Sequence, residues 1–209
     1  MKKTPYDQRY AGEDFYWGKE PSSMAPRVLE ALTPSASFRP RLIDIGCGEG
    51  RDIVYFARHG FEVVGLDLSA VGLDKARQYA TEAGVEIETV HADITDFELE
   101  GSYDVVFSTG TLQFLPVEKR QQCVENYKAC TSPNGMHVIS VLVDKPFLPE
   151  APDADPGEKH LFTSGELLSY YWDWETVYFV EEIFDCNSGG VPHKHCINRM
   201  IARRYLHNK

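Results

Sequence analysis

The chain has 209 residues, the size of one domain, and its 43% hydrophobic content excludes a disordered polypeptide. Only 21 Lys and Arg stand against 32 Asp and Glu, and the net charge of −11 repels phosphate backbones, so no nucleic-acid partner is expected. No run approaches ~18 consecutive apolar residues, no apolar core follows Met1-Lys2-Lys3, and the five cysteines (Cys47, Cys123, Cys130, Cys186, Cys196) never form a Cys-x-x-Cys pair. These features predict a reduced, cytoplasmic protein with no membrane span, secretory leader, disulfide framework or structural zinc.

Short apolar runs alternate with helix-period segments, the pattern of βαβ units around a parallel sheet. The first strand is read at 41–46, followed by a helix from Glu49 to Arg58 that Gly60 ends. A second strand covers 62–68, and Ser69 caps a helix carrying Leu73, Ala76, Ala80 and Ala83 on one face up to Gly84. Strands follow at about 86–92 and 103–108, then a helix opened by Pro116, then a fifth strand from Met136 to Val143. Residues 144–160 hold four prolines and five acids without periodicity, which predicts a lid or an insertion. Thr163 and Glu166 read as a capping box ahead of a helix with Leu167, Leu168, Tyr171 and Trp174. Two last strands, 175–184 and 196–205, close the sheet as an antiparallel hairpin across 185–195.

The chemistry concentrates where the first strand ends, in Asp44-Ile45-Gly46-Cys47-Gly48-Glu49-Gly50-Arg51. Glycines let a backbone turn tightly beside a ligand at a helix start. A dinucleotide fingerprint needs a third glycine where this chain has Arg51, and the Asp44 carboxylate would repel a pyrophosphate. Asp44 suits instead a ligand bearing an ammonium and a sulfonium, which points to S-adenosylmethionine (SAM). Asp67 ends the second strand at the offset where a carboxylate takes ribose hydroxyls, with Leu68 beside it for the adenine face. Asp93 ends the third strand and can accept from an adenine amino group while Ile94 packs on the ring. Taken singly, each acid reads equally as a turn cap. Three acids at the carboxyl ends of successive strands mark the edge where open α/β sheets bind ligands.

On these residues the chain resembles the class I SAM-dependent methyltransferases from Arg41 to Tyr205. Asp44 to Gly50 looks like the first motif of that superfamily and Asp67 like its ribose-binding acid. His91-Ala92-Asp93-Ile94 is similar to its adenine segment, and Ser108 to Phe114 to the motif lining the transfer site. The resemblance implies an α/β, Rossmann-like seven-stranded sheet of order 3-2-1-4-5-7-6, with strand 7 antiparallel and helices on both faces. It also implies SAM as cofactor and S-adenosylhomocysteine as product. A narrower resemblance is to the tellurite-resistance and thiopurine-methyltransferase-like groups, carried by Phe162 to Trp174 and Met200 to Arg204. Phe15-Tyr16-Trp17-Gly18 is similar to the N-terminal cover of both groups, which implies a cofactor contact for Trp17. Residues 1–209 then form a single domain with 1–38 as cover and 144–160 as lid.

Methyl transfer from a sulfonium is an in-line displacement in which positioning can supply most of the catalysis. After the fourth strand come Ser108, Thr109, Thr111 and Gln113, with no acid or histidine before Glu118 and no amino-methylase signature. This favours a small soft acceptor, a thiol or a tellurite- or selenite-like oxyanion. His193 and His195 are the candidate catalytic pair, as base or substrate contact. Two residues apart on a strand they share a face that one cation can reach, but the sequence places no third ligand, so no metal is expected; an ordinary solvated hairpin is the remaining reading. Cys47 reads as a small filler of the turn, and His137 as structural. The eight aromatics between Phe162 and Phe184 are either core or an acceptor pocket. The alternatives carried forward are transfer to a carboxyl, hydroxyl or amine, and a catalytically silent SAM-binding regulator; the assembly is expected to be a monomer or homodimer.

Overall fold

The computed structural model describes residues 4–149, 160–187 and 190–205. Its seven strands are β1 Arg41–Ile45, β2 Glu62–Asp67, β3 Glu88–His91, β4 Tyr103–Thr109, β5 Thr131–Val143, β6 Glu175–Cys186 and β7 His193–Arg203. They form one sheet of order β3-β2-β1-β4-β5-β7-β6, as the resemblance implied. β7 runs antiparallel to both β5 and β6, while the pairs on the other side are parallel. The centre of the sheet is covered on both faces, which is why β1 is apolar on both faces except at Asp44: Leu42, Ile43 and Ile45 are fully buried.

The helices are α1 Pro5–Tyr10, α2 Ala25–Ala31, α3 Arg51–Arg58, α4 Ala70–Ala83, α5 Val117–Ala129 and α6 Glu166–Ser169. On one face Met24, Val28, Ile53, Phe56, Leu73 and Ala76 from α2 to α4 and their approaches pack on Leu42, Val105 and Phe107. On the other, Val124 and Tyr127 of α5 and Leu167 of α6 pack on Ile43, Val106 and Ile139. The strand order reverses between β1 and β4, which run parallel, and this leaves a crevice at their carboxyl edge, the switch point of a doubly wound sheet.

Three elements differ from expectation. The helix expected after Thr163 is one turn long: Gly165 caps it at φ 79°, and the chain leaves it at Tyr170. Glu166 does reach back to the Thr163 N–H at 2.9 Å, but Thr163 donates to it rather than capping an amide. The aromatic run is drawn away by His137. Tyr171 donates its hydroxyl proton to His137 Nδ1 at 2.7 Å, and Trp174 lies 4.7 Å from the imidazole. Second, β5 begins at Thr131 rather than Met136, through an irregularity that Asn134 enables at φ 60°. Third, the closing hairpin is longer than read, so His193 and His195 stand on β7 and not in its loop. Of the lid assigned to 144–160, residues 150–159 lie outside the described residues.

His137 is structural, as expected, and its polar neighbours fix its tautomer. Thr131 donates its hydroxyl proton to the Tyr127 carbonyl at 2.7 Å, so it accepts from His137 Nε2–H at 2.8 Å and leaves Nδ1 to accept from Tyr171. Burial, then the nearby Lys128 charge, lower the His137 pKa to about 3.

Candidate functional site

β1 delivers Asp44 to the crevice with 2% exposure, and its Oδ1 has no hydrogen-bond partner. Burial first, then the Asp52 charge, push its pKa well up; Arg51 opposes them. A buried carboxylate with a free oxygen is a strong acceptor awaiting a donor or a cation.

The glycine turn follows. Gly46, Gly48 and Gly50 all adopt positive φ, at 85°, 54° and 89°. A Cβ on Gly46 would stand 1.9 Å from Thr111 Oγ1, so the loop after β4 comes against the turn only because position 46 has no side chain. The turn's amides are used internally. Gly46 and Cys47 both donate to the Leu66 carbonyl, at 2.7 and 2.9 Å, and Gly48 donates to Asp67 Oδ2 at 2.8 Å. These three N–H groups are therefore not presented to a phosphate, in agreement with the acid at position 44. Cys47 is buried, with Sγ against the position a Gly65 side chain would take, and burial pushes its thiol pKa well up, so it fills space.

Asp67 is bound from both sides, by Gly48 N and by Ser69 N at 2.8 Å. Its pKa is raised by burial and lowered by those amides, with burial dominant. Leu68 beside it is 45% exposed, an apolar surface at the crevice rim. Asp93 accepts from the Thr95 amide at 2.9 Å, a turn cap that leaves its second oxygen without a partner among these bonds. Ile94 is buried in the core with Leu66 and Leu115. Ser108 is buried and donates to the Ile45 carbonyl at 2.9 Å, which ties β4 to β1.

The N-terminal segment lies over this turn. Tyr16 N donates to Glu49 Oε2 at 2.7 Å, Arg51 donates to the Trp17 carbonyl at 3.3 Å, and Ser22 N donates to Asp52 at 2.7 Å. Trp17 donates its indole N–H to the Tyr10 hydroxyl at 3.2 Å. Tyr10 is the residue that sequence reasoning missed. Its ring packs where side chains on Gly48 and Gly72 would be, and burial together with the Asp67 charge pushes its pKa up. Gln113 was named but not assigned a role; it is buried, donates to the Gly110 carbonyl at 2.7 Å, and leaves Oε1 unpartnered. Arg120 was also missed: fully buried, it pairs with Glu166 at 2.5 Å and stacks 3.8 Å over Phe162, anchoring the chain's return after residue 160.

His193 and His195 are brought together, Nε2 to Nε2, at 2.9 Å. β7 begins beyond the end of β5, whose last residue Val143 pairs with Cys196, so both histidines lie past the end of β5 at the carboxyl edge, where they pair only with β6. The aromatics divide. Phe162 and Tyr171 are core, while Leu168, Trp172, Trp174 and Thr176 line an open cavity of about 430 Å³. Thr176 stands on β6, the outer strand, so that cavity is separated from Asp44 on β1 by β7, β5 and β4.

Residues 42–135 match the family described as a methyltransferase domain. The sheet order and the acidic glycine turn agree with that match, and in this stretch the chain is similar to class I SAM-dependent methyltransferases. Among its relatives it resembles the TehB group. It is 25% identical over 167 residues to the probable SAM-dependent methyltransferase TehB of Haemophilus influenzae, covering 78% of this chain and 57% of that protein. The chain therefore spans little more than half of that relative. The crystal structure of TehB from Haemophilus influenzae superposes with a TM-score of 0.75 at 23% identity, covering 86% of this chain and 61% of that one. A second relative is the 2-heptyl-1-hydroxyquinolin-4(1H)-one methyltransferase of Mycobacteroides abscessus, 26% identical over 174 residues, with 77% of this chain and 75% of that protein covered.

Proposed function

We propose that the chain transfers the methyl group of SAM to a small soft nucleophile, a thiol or a tellurite- or selenite-like oxyanion. The observation that carries the cofactor end is the buried, unpartnered Asp44 oxygen beneath a turn whose first amides face inward. In this reading Asp44 holds the ligand's ammonium, Asp67 the ribose hydroxyls, Leu68 and Asp93 the adenine, and Gly46 to Gly50 let the ligand approach the backbone. Trp17 and Tyr10 close the N-terminal side. Arg51 holds the cover and moderates the acids around it.

The acceptor's lone pair attacks the methyl carbon as the carbon–sulfur bond of the sulfonium breaks, giving S-adenosylhomocysteine. A thiolate or oxyanion needs no proton removed in that step. That requirement agrees with the neutral Gln113 and the absence of any acid or histidine from Ser108 to Val117. The resemblance of Phe162 to Trp174 and Met200 to Arg204 to the tellurite-resistance group supports the same acceptor class. A second reading, transfer to a hydroxyl or other protonated acceptor, is favoured by the quinolone-methylating relative and by the paired His193 and His195, which would serve there as base or substrate contact.

The test is an acceptor panel of thiols, tellurite, selenite, phenols, carboxylates and amines, read as S-adenosylhomocysteine formed. Turnover with the soft acceptors, rising with pH toward the acceptor's own pKa, supports the first reading. Turnover with hydroxyl or carboxyl acceptors alone refutes it, and SAM binding without turnover on any acceptor identifies a regulatory module.

A further inference from the structure

The end of the β6–β7 hairpin gathers three ligand atoms. Cys186, the last residue of β6, is the register partner of His193, and His195 follows two residues along the same face of β7. The Cys186 sulfur and one nitrogen from each histidine lie within 4.8 Å of one another, and all three residues are half-buried. The two rings stand perpendicular with their Nε2 atoms 2.9 Å apart.

A second contact sets the protonation. His193 Nδ1 lies 2.6 Å from the Val191 carbonyl, which can only accept, so the proton of the neutral ring is on Nδ1 and its Nε2 carries a bare lone pair. A backbone carbonyl on the far nitrogen is how metal-ligating histidines are oriented. That nitrogen faces His195 Nε2 at 2.9 Å, with the Cys186 sulfur within 4.8 Å of the histidine ligand atoms.

We infer that Cys186, His193 and His195 form a binding site for one divalent transition ion of the zinc type. One thiolate and two imidazoles select zinc-like ions over magnesium or calcium, which take oxygen ligands. Metal–ligand bonds of about 2.0–2.3 Å place tetrahedral ligand atoms about 3.3–3.6 Å apart. The 2.9 Å histidine contact and a widest separation within 4.8 Å reach those values by side-chain rotations of about 1 Å. On binding, the Cys186 S–H bond breaks, its proton passes to solvent and a sulfur–metal bond forms, with no change of oxidation state. Three protein ligands leave a fourth position for water or another donor, at the carboxyl edge where β7 passes the end of β5. The site needs neither SAM nor an acceptor, so it stands or falls separately from the methyl-transfer reading.

The experiment is a titration of the chelator-treated full chain with Co²⁺, followed by its ligand-field bands and the near-ultraviolet thiolate-to-cobalt charge-transfer band. One ion per chain with that band, displaced by Zn²⁺, is expected. Cys186→Ser should abolish the band, and His193→Ala and His195→Ala should each weaken binding at least about a hundredfold, since even lost outer-shell contacts cost ten to a hundredfold. Circular dichroism of each variant reports folding, and a variant that unfolds is replaced by Cys186→Ala or by the Asn substitution at the histidine. A missing charge-transfer band, a band that survives Cys186→Ser, or one ion shared by two chains overturns the site. S-adenosylhomocysteine formation in the acceptor panel is read separately and decides only the methyl-transfer reading.

Discussion

Asp44→Asn keeps the shape of the side chain and removes its charge, so it isolates what the buried carboxylate does. Its Oδ1 has no partner among the described residues, and the ligand proposed for this site carries two positive groups. Losing one charge-assisted hydrogen bond costs about 1.5–3 kcal/mol, which raises the SAM dissociation constant roughly ten- to 150-fold. The electrostatics add a second signature. Burial and the Asp52 charge hold the Asp44 pKa well above the ordinary carboxylate range, so the empty site retains a proton at pH values where a free Asp has lost it. A cationic ligand favours the ionised form, so binding must expel that proton, and affinity must climb with pH through the raised pKa. Calorimetry in two buffers of different ionisation heat measures the release directly. The native protein should release up to one proton per ligand, more at the acid end, and Asp44→Asn markedly less. If the variant is folded by circular dichroism, binds SAM within about threefold of the native protein and releases the same number of protons, the reasoning about Asp44 is wrong.

Gly46→Ala forces a Cβ to 1.9 Å from Thr111 Oγ1 at a φ of 85°; strain and overpacking together should cost about 3 kcal/mol or more in urea unfolding, and a loss below about 1 kcal/mol would show that the turn yields freely. Arg120→Ala strands the Glu166 carboxylate and removes the cation over Phe162, so a loss of about 3–5 kcal/mol is expected from chemical denaturation, with the glycine turn intact. His137 has a folded pKa of about 3, below its unfolded value near ~6.5, so the unfolded chain binds the extra proton between them. Its contribution is complete above that window and is lost as pH falls through it, by about 1.4 kcal/mol per pH unit. Acid unfolding of His137→Gln against the native chain should therefore show a shallower dependence between pH 6 and 4, and equal slopes would remove His137 from the account.

The strands and the acids at their ends were legible because both are written locally, whereas the strand order came from the resemblance. Leu42, Ile43 and Ile45 flank Asp44, and Gly46, Gly48 and Gly50 follow within ten residues of the strand start. A residue that ends a strand is at the carboxyl edge by definition, so Asp44, Asp67 and Asp93 could be placed without knowing any long-range contact. What was not legible depends on distant pairings. The sequence does not show that Tyr10 fills the space above Gly48 and Gly72, because that contact depends on how α1 crosses α4. Nor does it show Cys186 opposite His193, because that register is set along the whole β6–β7 ladder, including an irregularity at Thr176 and Tyr178. The helix read from Leu167 to Trp174 failed for a related reason. Its period was sound, but hydrogen bonding and stacking on His137, thirty or more residues away, outweighed helical propensity.

The crevice also explains how an acidic chain can keep so many carboxylates in one place. Asp44, Asp52 and Asp67 all have raised pKa values, each with burial as the leading cause, and each is held by a different compensation. Asp67 is held by two amides, and Asp52 by Arg51 and the Ser22 amide. Of the three, Asp44 alone has a buried oxygen with no partner among the described residues. A chain selected for stability alone would neutralise that position, since a buried charge without a partner opposes folding. Retaining it makes sense only if a positive ligand completes the set, and the inward-turned amides of Gly46, Cys47 and Gly48 exclude the phosphate that such a turn would otherwise attract.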